Sequence, residues 1–317
     1  MFRLKACTLL AVLMLSYQPA NAAECFYVSS YHAGYAWSDG VERGLRETLD
    51  GKCNITTFYM DTKRKKDEQQ IRQAALNAKN LIETRQPDVV IASDDNAAKY
   101  LIVPYFKNAD IPFVFCGINW TVEQYGFPFS NVTGMIEVAA IKPLFENAAA
   151  MSGKIRTAWY IGANTLTEQK NYNRFARTAK QEGIAIQHHL ADTMEQWLQA
   201  YQDAQQADLI IMGSHAGIHD WDHDTVIRNI LPHSRTLSVT NHGWMMPYTM
   251  FGMTKVPEEH GRWAGQIALE IINGASPADI PIIPNRKFNI IINKPLLAAA
   301  GIKVPEYIRL KAQLHRE

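Results

Sequence analysis

The sequence lacks an excess of either charge: 32 Lys and Arg stand against 31 Asp and Glu over 317 residues. Without a broad basic field or a local basic patch, phosphate neutralisation has nothing to work with, and no nucleic acid is expected as a partner. Cysteine is scarce, four residues in all, so a dense disulfide framework is excluded. There is no Gly-x-Ser-x-Gly elbow, Walker loop, His-Glu-x-x-His motif or complete dinucleotide fingerprint. An enzyme is not expected, and neither catalytic residues nor a cofactor are assigned. Past the N-terminus no apolar run approaches the ~20 residues that span a bilayer. What remains is an ordinary globular composition, 47% hydrophobic and 20% charged, of a length that usually divides into two domains.

The first 22 residues bear on compartment. Arg3 and Lys5 precede an apolar run from Ala6 to Tyr17, too short to span a bilayer, and Ala20-Asn21-Ala22 places small side chains at both recognition positions of a cleavage site. This is the pattern of a cleavable secretory signal peptide. Cys25 follows Glu24 rather than a small residue, which argues against a lipoprotein. The expected location is the periplasm. Export permits disulfides, and Cys25 and Cys53 each stand at the start of a β-rich run, so a Cys25 to Cys53 bridge between neighbouring strands is geometrically sensible. Cys116, within an apolar strand, is expected to be a buried small side chain.

From Cys25 onward, short β-branched or aromatic runs (Cys25 to Ser30, Ile55 to Met60, Asp88 to Ser93, Phe113 to Cys116) alternate with stretches of helical period. Trp37, Val41, Leu45 and Leu49 form one apolar stripe; Ile71, Ala74, Ala78 and Leu81 form another. A second series follows at Thr157 to Ile161, Ala185 to His189, Leu209 to Met212 and Thr236 to Val239. The prediction is an α/β protein of two Rossmann-like lobes with parallel sheets, in which a ligand cleft lies at the carboxyl ends of the strands. Asn131 to Ile136 reads as a crossover strand, and Glu258 to Asn273 as a strong helix ending at Gly274.

The C-terminal third carries a specific resemblance. Gly252-Met-Thr-Lys-Val-Pro-Glu-Glu-His-Gly-Arg262, Ile271-Ile-Asn-Gly-Ala-Ser-Pro-Ala-Asp-Ile-Pro281, Phe288 to Asn293 and Ala300 to Pro305 resemble the closing segment of the ABC-transporter substrate-binding family that includes tryptophan- and tyrosine-binding members. The resemblance implies the type I periplasmic-binding architecture. It implies one lobe from 23–134 plus about 247–279 and another from 135–246 plus about 280–317. It also implies a permease partner, with an aromatic amino acid as the candidate ligand. The chain departs from the aromatic amino-acid binders at Ser93-Asp-Asp-Asn96 and in the long Ser214 to Asp224 connection.

Strand-end loops supply the candidate ligand residues: Tyr31, His32 and Trp37; Asp94, Asp95 and Asn96; Asn119 and Trp120; Asn164 and Thr165; Ser214 and His215; and Asn241, His242 and Trp244. Aromatic walls with a few convergent polar groups suit a small molecule. The same loops fit as helix caps, through Ser38 or Asp39, Asp95 or Asn96, and Asn164 or Thr165. His215, His219, Asp222 and His223 offer donors that zinc accepts, in a spacing that matches no zinc-hydrolase motif; capping and pocket lining are preferred, and no metal is assigned. Lys63-Arg-Lys-Lys66 reads as a solvated loop or a contact for a membrane receptor.

These strand-end loops hold no Lys or Arg, so the expected ligand is small, neutral or cationic, nitrogen-containing, and aromatic or heterocyclic. The function expected is that of a periplasmic substrate-binding protein of an ABC importer, closing by a hinge around its solute. The alternatives are a ligand-binding partner of a membrane signalling receptor and, less favoured, a metal-dependent periplasmic enzyme.

Overall fold

In the computed structural model the described residues are 23–65 and 67–315; the signal peptide of the sequence analysis lies outside them. The order of elements is β1 (Ala23–Ser29), α1 (Ala36–Leu49), β2 (Cys53–Tyr59), α2 (Glu68–Arg85), β3 (Val89–Ser93), α3 (Asp94–Ala97), a π-helical turn, α4 (Val103–Tyr105), β4 (Phe113–Asn119) and β5 (Val132–Glu137). There follow α5 (Ile141–Ser152), β6 (Thr157–Ala163), α6 (Leu166–Gln181), β7 (Ala185–Ala191), α7 (Met194–Asp203), β8 (Leu209–Met212), α8 (His223–Ile230), β9 (Ser238–Thr240) and β10 (Phe251–Lys255). The chain ends with α9 (Pro257–Ile272), β11 (Ile283–Pro284), β12 (Phe288–Ile292), α10 (Lys294–Ala299), α11 (Glu306–Arg309) and β13 (Gln313–Leu314).

Two sheets result, in the orders β11-β5-β4-β3-β1-β2 and β13-β12-β10-β9-β8-β6-β7. Pairing is parallel except between β10 and β12. Strand alternation divides the first core: Phe26, Val28, Val90, Phe113 and Phe115 face α2, while Tyr27, Val89, Ile91 and Val114 face α1 and α9. Cys25 and Cys53 are joined by a disulfide between β1 and β2, with Cα atoms 5.9 Å apart; Cys116 is buried and free. Among the described residues no helix is long and apolar enough to cross a membrane.

The chain passes between the sheets at 138–140, at Val256 and at 285–287. These crossings fall later than the expected boundaries after residues 134, 246 and 279. Most of the difference is β10, which was expected in the first lobe. It pairs instead in the second sheet, Phe251 lying opposite both Val239 and Ile292. The break comes where Pro257 occupies the first turn of α9, and extended Val256 precedes it.

Helix α9 returns to the first lobe by lying against α1 with almost no side chain between the two backbones. A Cβ on Gly261 would collide with the Val41 carbonyl and the Leu45 nitrogen, and one on Gly44 would collide with the Glu258 carbonyl. Ion pairs flank this seam, Arg43 to Glu258 at 2.6 Å and Arg262 to Glu47 at 2.9 Å. Gly261→Ala is therefore expected to lower stability by about 1–3 kcal/mol as an overpacked core position does, measured by urea unfolding. The disulfide links residues 28 apart. Replacing both cysteines by Ala is expected to remove about 3–4 kcal/mol on the chain-entropy relation, read as a lower Tm by calorimetry.

Candidate functional site

The carboxyl ends of β1, β3, β4 and β5 form one half-site. Asp94 opens α3 with a left-handed backbone, φ 68°, and is 2% exposed. The Trp37 indole Nε1 donates to its Oδ1 at 3.0 Å, and its Oδ2 is buried with no hydrogen-bond partner. Burial, reinforced by Glu137 and Asp95 and opposed by Lys63, pushes the Asp94 carboxyl well above the usual range. Asp95 is instead fully engaged, accepting from Asn119 Nδ2 at 2.7 Å and the Tyr125 hydroxyl at 2.6 Å. Asn96 donates to Thr62 at 2.7 Å. Tyr31 lies under the Lys63 ammonium, 4.4 Å from the ring centroid, with Tyr35 edge-on to it. His32 donates to the neighbouring Ala33 carbonyl at the rim.

The second half-site is built around a residue that the sequence analysis did not single out. Glu168 is buried and accepts from the Tyr160 hydroxyl at 2.6 Å, Asn171 at 3.0 Å and the Ser214 backbone N–H at 3.0 Å. Burial raises its pKa, while these bonds oppose the rise. Gly162 and Gly213 leave the room it needs, because a Cβ on either would meet its Oε2. Thr165 caps α6 by accepting from the Glu168 N–H at 3.2 Å. The Thr165 to Glu168 spacing is thus that of a capping box, yet the carboxylate turns to Tyr160 and Ser214. Trp244, 53% exposed, donates to Ser214 Oγ at 3.1 Å and packs on His242 at 4.6 Å. His242 is buried with both ring nitrogens unpartnered, and burial pushes its pKa down to about 3. Its 3.9 Å approach to Glu168 therefore involves a neutral imidazole. Asn241 is buried beside it, and Asn164 is drawn to Asp192 at 2.9 Å.

His215 leaves this group for an aromatic cluster, stacking on Trp221 at 4.4 Å and meeting the edge of Tyr248. Asp222 caps α8 by accepting from the Thr225 N–H at 2.8 Å, Asp220 accepts from the Met194 N–H, and His223 bonds the Tyr248 hydroxyl. Among the described residues no three His, Cys, Asp or Glu side chains converge as a metal site. A groove of about 910 Å³ lies between α8 and α10, lined by Ile227, Leu231, Pro295 and Leu296 among others, and includes no residue of the first lobe.

Three positive groups stand beside these half-sites from outside the six loops selected in the sequence analysis, which corrects the charge reading made from those loops alone. Lys63 follows β2. Arg174 of α6 sits 4.4 Å from the ring of Trp120, which itself has a left-handed φ of 66°. Lys255, the last residue of β10, pairs with Glu137, the last residue of β5, and lies 5.8 Å from the Trp37 ring.

The Lys255 to Glu137 pair ties two crossings together, and further bonds secure the third. Asn285 Oδ1 accepts from the Val138 N–H at 2.7 Å; the Glu259 carboxylate accepts from the Arg286 and Lys287 N–H groups at 2.9 and 2.8 Å. His260, buried with unpartnered ring nitrogens and a pKa lowered to about 3 by burial, packs against Trp37 at 5.2 Å. Lys255→Met leaves Glu137 buried without its cation and is expected to lower stability by about 3 kcal/mol. Adding Glu137→Gln should recover part of that loss in urea unfolding.

No family model matches the sequence, and no curated protein matches it. Solved structures do. The ligand-free, open structure of a substrate binding protein with adhesive properties from Clostridium difficile is 13% identical, with a TM-score of 0.76 over 93% of this chain and 99% of that one. An ABC domain in complex with L-Trp from Streptococcus pneumonia is 16% identical, with a TM-score of 0.64 over 93% and 99%. A periplasmic ribose ABC transporter protein from Conexibacter woesei is 17% identical, with a TM-score of 0.55 over 86% and 92%. LacI-family transcriptional regulators share the same fold. The chain has the two-lobed architecture of type I periplasmic-binding proteins.

Proposed function

We propose that the protein is a non-enzymatic, periplasmic substrate-binding protein of an ABC importer that captures a small nitrogen-containing solute, aromatic or heterocyclic, by closing its lobes. The observation that carries this reading is the pair of unlike half-sites on separate lobes. Trp37, Tyr31, Asp94 and Trp120 stand on one, and Ser214, His242 and Trp244 on the other. They are joined through crossings held by Lys255, Asn285 and Glu259.

A solute that touches both lobes binds the closed form better than the open one, and that difference in affinity drives closure. A solute held by one lobe leaves the equilibrium unchanged. The higher similarity to a ligand-free, open protein than to a tryptophan-bound one supports an open starting state. With Lys63 and Arg174 near the acids, the cleft offers groups for both ends of a zwitterion; an aromatic amino acid is the candidate that the sequence resemblance supplies. The closed form is then presented to a membrane permease.

Mass spectrometry of solute carried by native protein, followed by its removal and return, tests the reading. Return of the solute is expected to compact the particle in small-angle scattering and to shift tryptophan emission, because Trp37, Trp120 and Trp244 border the cleft. A solute that binds tightly and changes neither would remove the closure mechanism.

A further inference from the structure

Among the described residues, Asp94 is the carboxyl group with a buried oxygen that nothing bonds. Its position is built rather than accidental. The residue adopts φ 68°, and Gly117 beside it has φ 77°; a Cβ there would come within 3.0 Å of Asp94 Oδ1. Non-glycine residues in the left-handed region are uncommon and collect at functional sites.

The surroundings supply little to hold a negative charge. The side-chain donors at Asp94 are both neutral, the indole of Trp37 and the hydroxyl of Ser93, and the latter only partly offsets the burial. Asp95 on α3 and Glu137 on β5 repel an anion at Asp94. Tyr27 on β1 is bonded to Ser93, and Tyr31, Tyr35 and Cys116 face the carboxyl as neutral groups whose own ionisation it opposes. His260 on α9, behind Trp37, is neutral. Of the cations, Lys255 on β10 is committed to Glu137, and exposed Lys63 lies over the Tyr31 ring. Burial of an unpaired carboxylate under these conditions favours its neutral form.

We propose that Asp94 holds a proton in the empty cleft and exchanges it for the ligand: the free oxygen receives a cationic N–H group, an ammonium, amidinium or guanidinium, and one proton passes to solvent. This rests on the solute-capture reading and adds the charge of the solute and the stoichiometry of its binding. The step balances, since a neutral acid and a monocation give an ion pair and one released proton. A neutral amide or hydroxyl donor would bind without releasing it. Affinity for a cation then rises with pH until the empty-cleft carboxyl itself ionises.

Two measurements test this on the full mature chain. The first needs no ligand. An acid whose folded pKa is raised binds more protons folded than unfolded, so its contribution to stability falls as pH rises above the unfolded value near 4. Asp94→Asn keeps an acceptor for Trp37 and tolerates the left-handed backbone. It is expected to melt higher than wild type at pH 7 and level with it near pH 3.5. An Asp94 carboxyl that carbon-13 NMR shows ionised at pH 7 in the empty protein overturns the proposal.

The second is calorimetric titration with tryptamine and agmatine, set against indole-3-propionate and glucose, in buffers of different ionisation enthalpy. Binding of a cation with release of up to one proton is expected, weakened roughly ten- to a hundredfold in Asp94→Asn with the release abolished. Cation binding that keeps its wild-type affinity or its proton release in Asp94→Asn overturns the proposal, as does failure of both cations to bind. Glucose or indole-3-propionate that binds and compacts the lobes would overturn it while leaving solute capture intact.

Discussion

The contact on which the site depends is the glycine seam between α1 and α9. Because no side chain separates the two backbones at Gly44 and Gly261, the return helix is fixed against the helix that carries Trp37. That same return helix presents His260 to the Trp37 ring and Glu259 to the third crossing. The indole in turn holds Oδ1 of Asp94. Helix seam, interlobe crossings and the Asp94 carboxyl are one mechanical unit, and a shift of α9 would disturb all three.

Much of the framework was legible because periodicity reports burial. The unbroken apolar runs at Cys25 to Ser30 and Phe113 to Cys116 mark strands with both faces covered, and the stripes through Val41, Leu45 and Ile267 mark helices facing them. Periodicity does not report which sheet a strand joins, so Phe251 to Lys255 was placed in the wrong lobe; its partner β12 comes later in the chain and runs antiparallel. The strand-end rule gathered Trp37, Asp94, Ser214, His242 and Trp244 into the two half-sites, whereas His215 went to a separate aromatic cluster.

The charges were the illegible part. Glu137 and Lys255 each terminate an apolar strand, a visible signal, but their pairing joins residues 118 apart in sequence. Arg174 lies in the middle of α6 and reaches Trp120 only because the lobes face each other. Glu168 occupied a capping-box position, and local pattern gave no warning that Gly162 and Gly213 open a buried space for its carboxylate. Local sequence reports which face is buried, while electrostatic partners are chosen by tertiary neighbours.

The threefold passage of the chain between lobes also sets an order of assembly. Ala264, Ile267 and Ala268 of α9 cover one face of the first sheet, and β11 forms its edge. Strands β1 to β5 are therefore complete in sequence long before their core can be closed, and Val41, Leu45 and Val114 wait uncovered for residues beyond Pro257. Contacts of such sequence separation fold slowly, so a nascent or partly threaded chain exposes this face until α9 has been made and is the form that chaperones and proteases would meet.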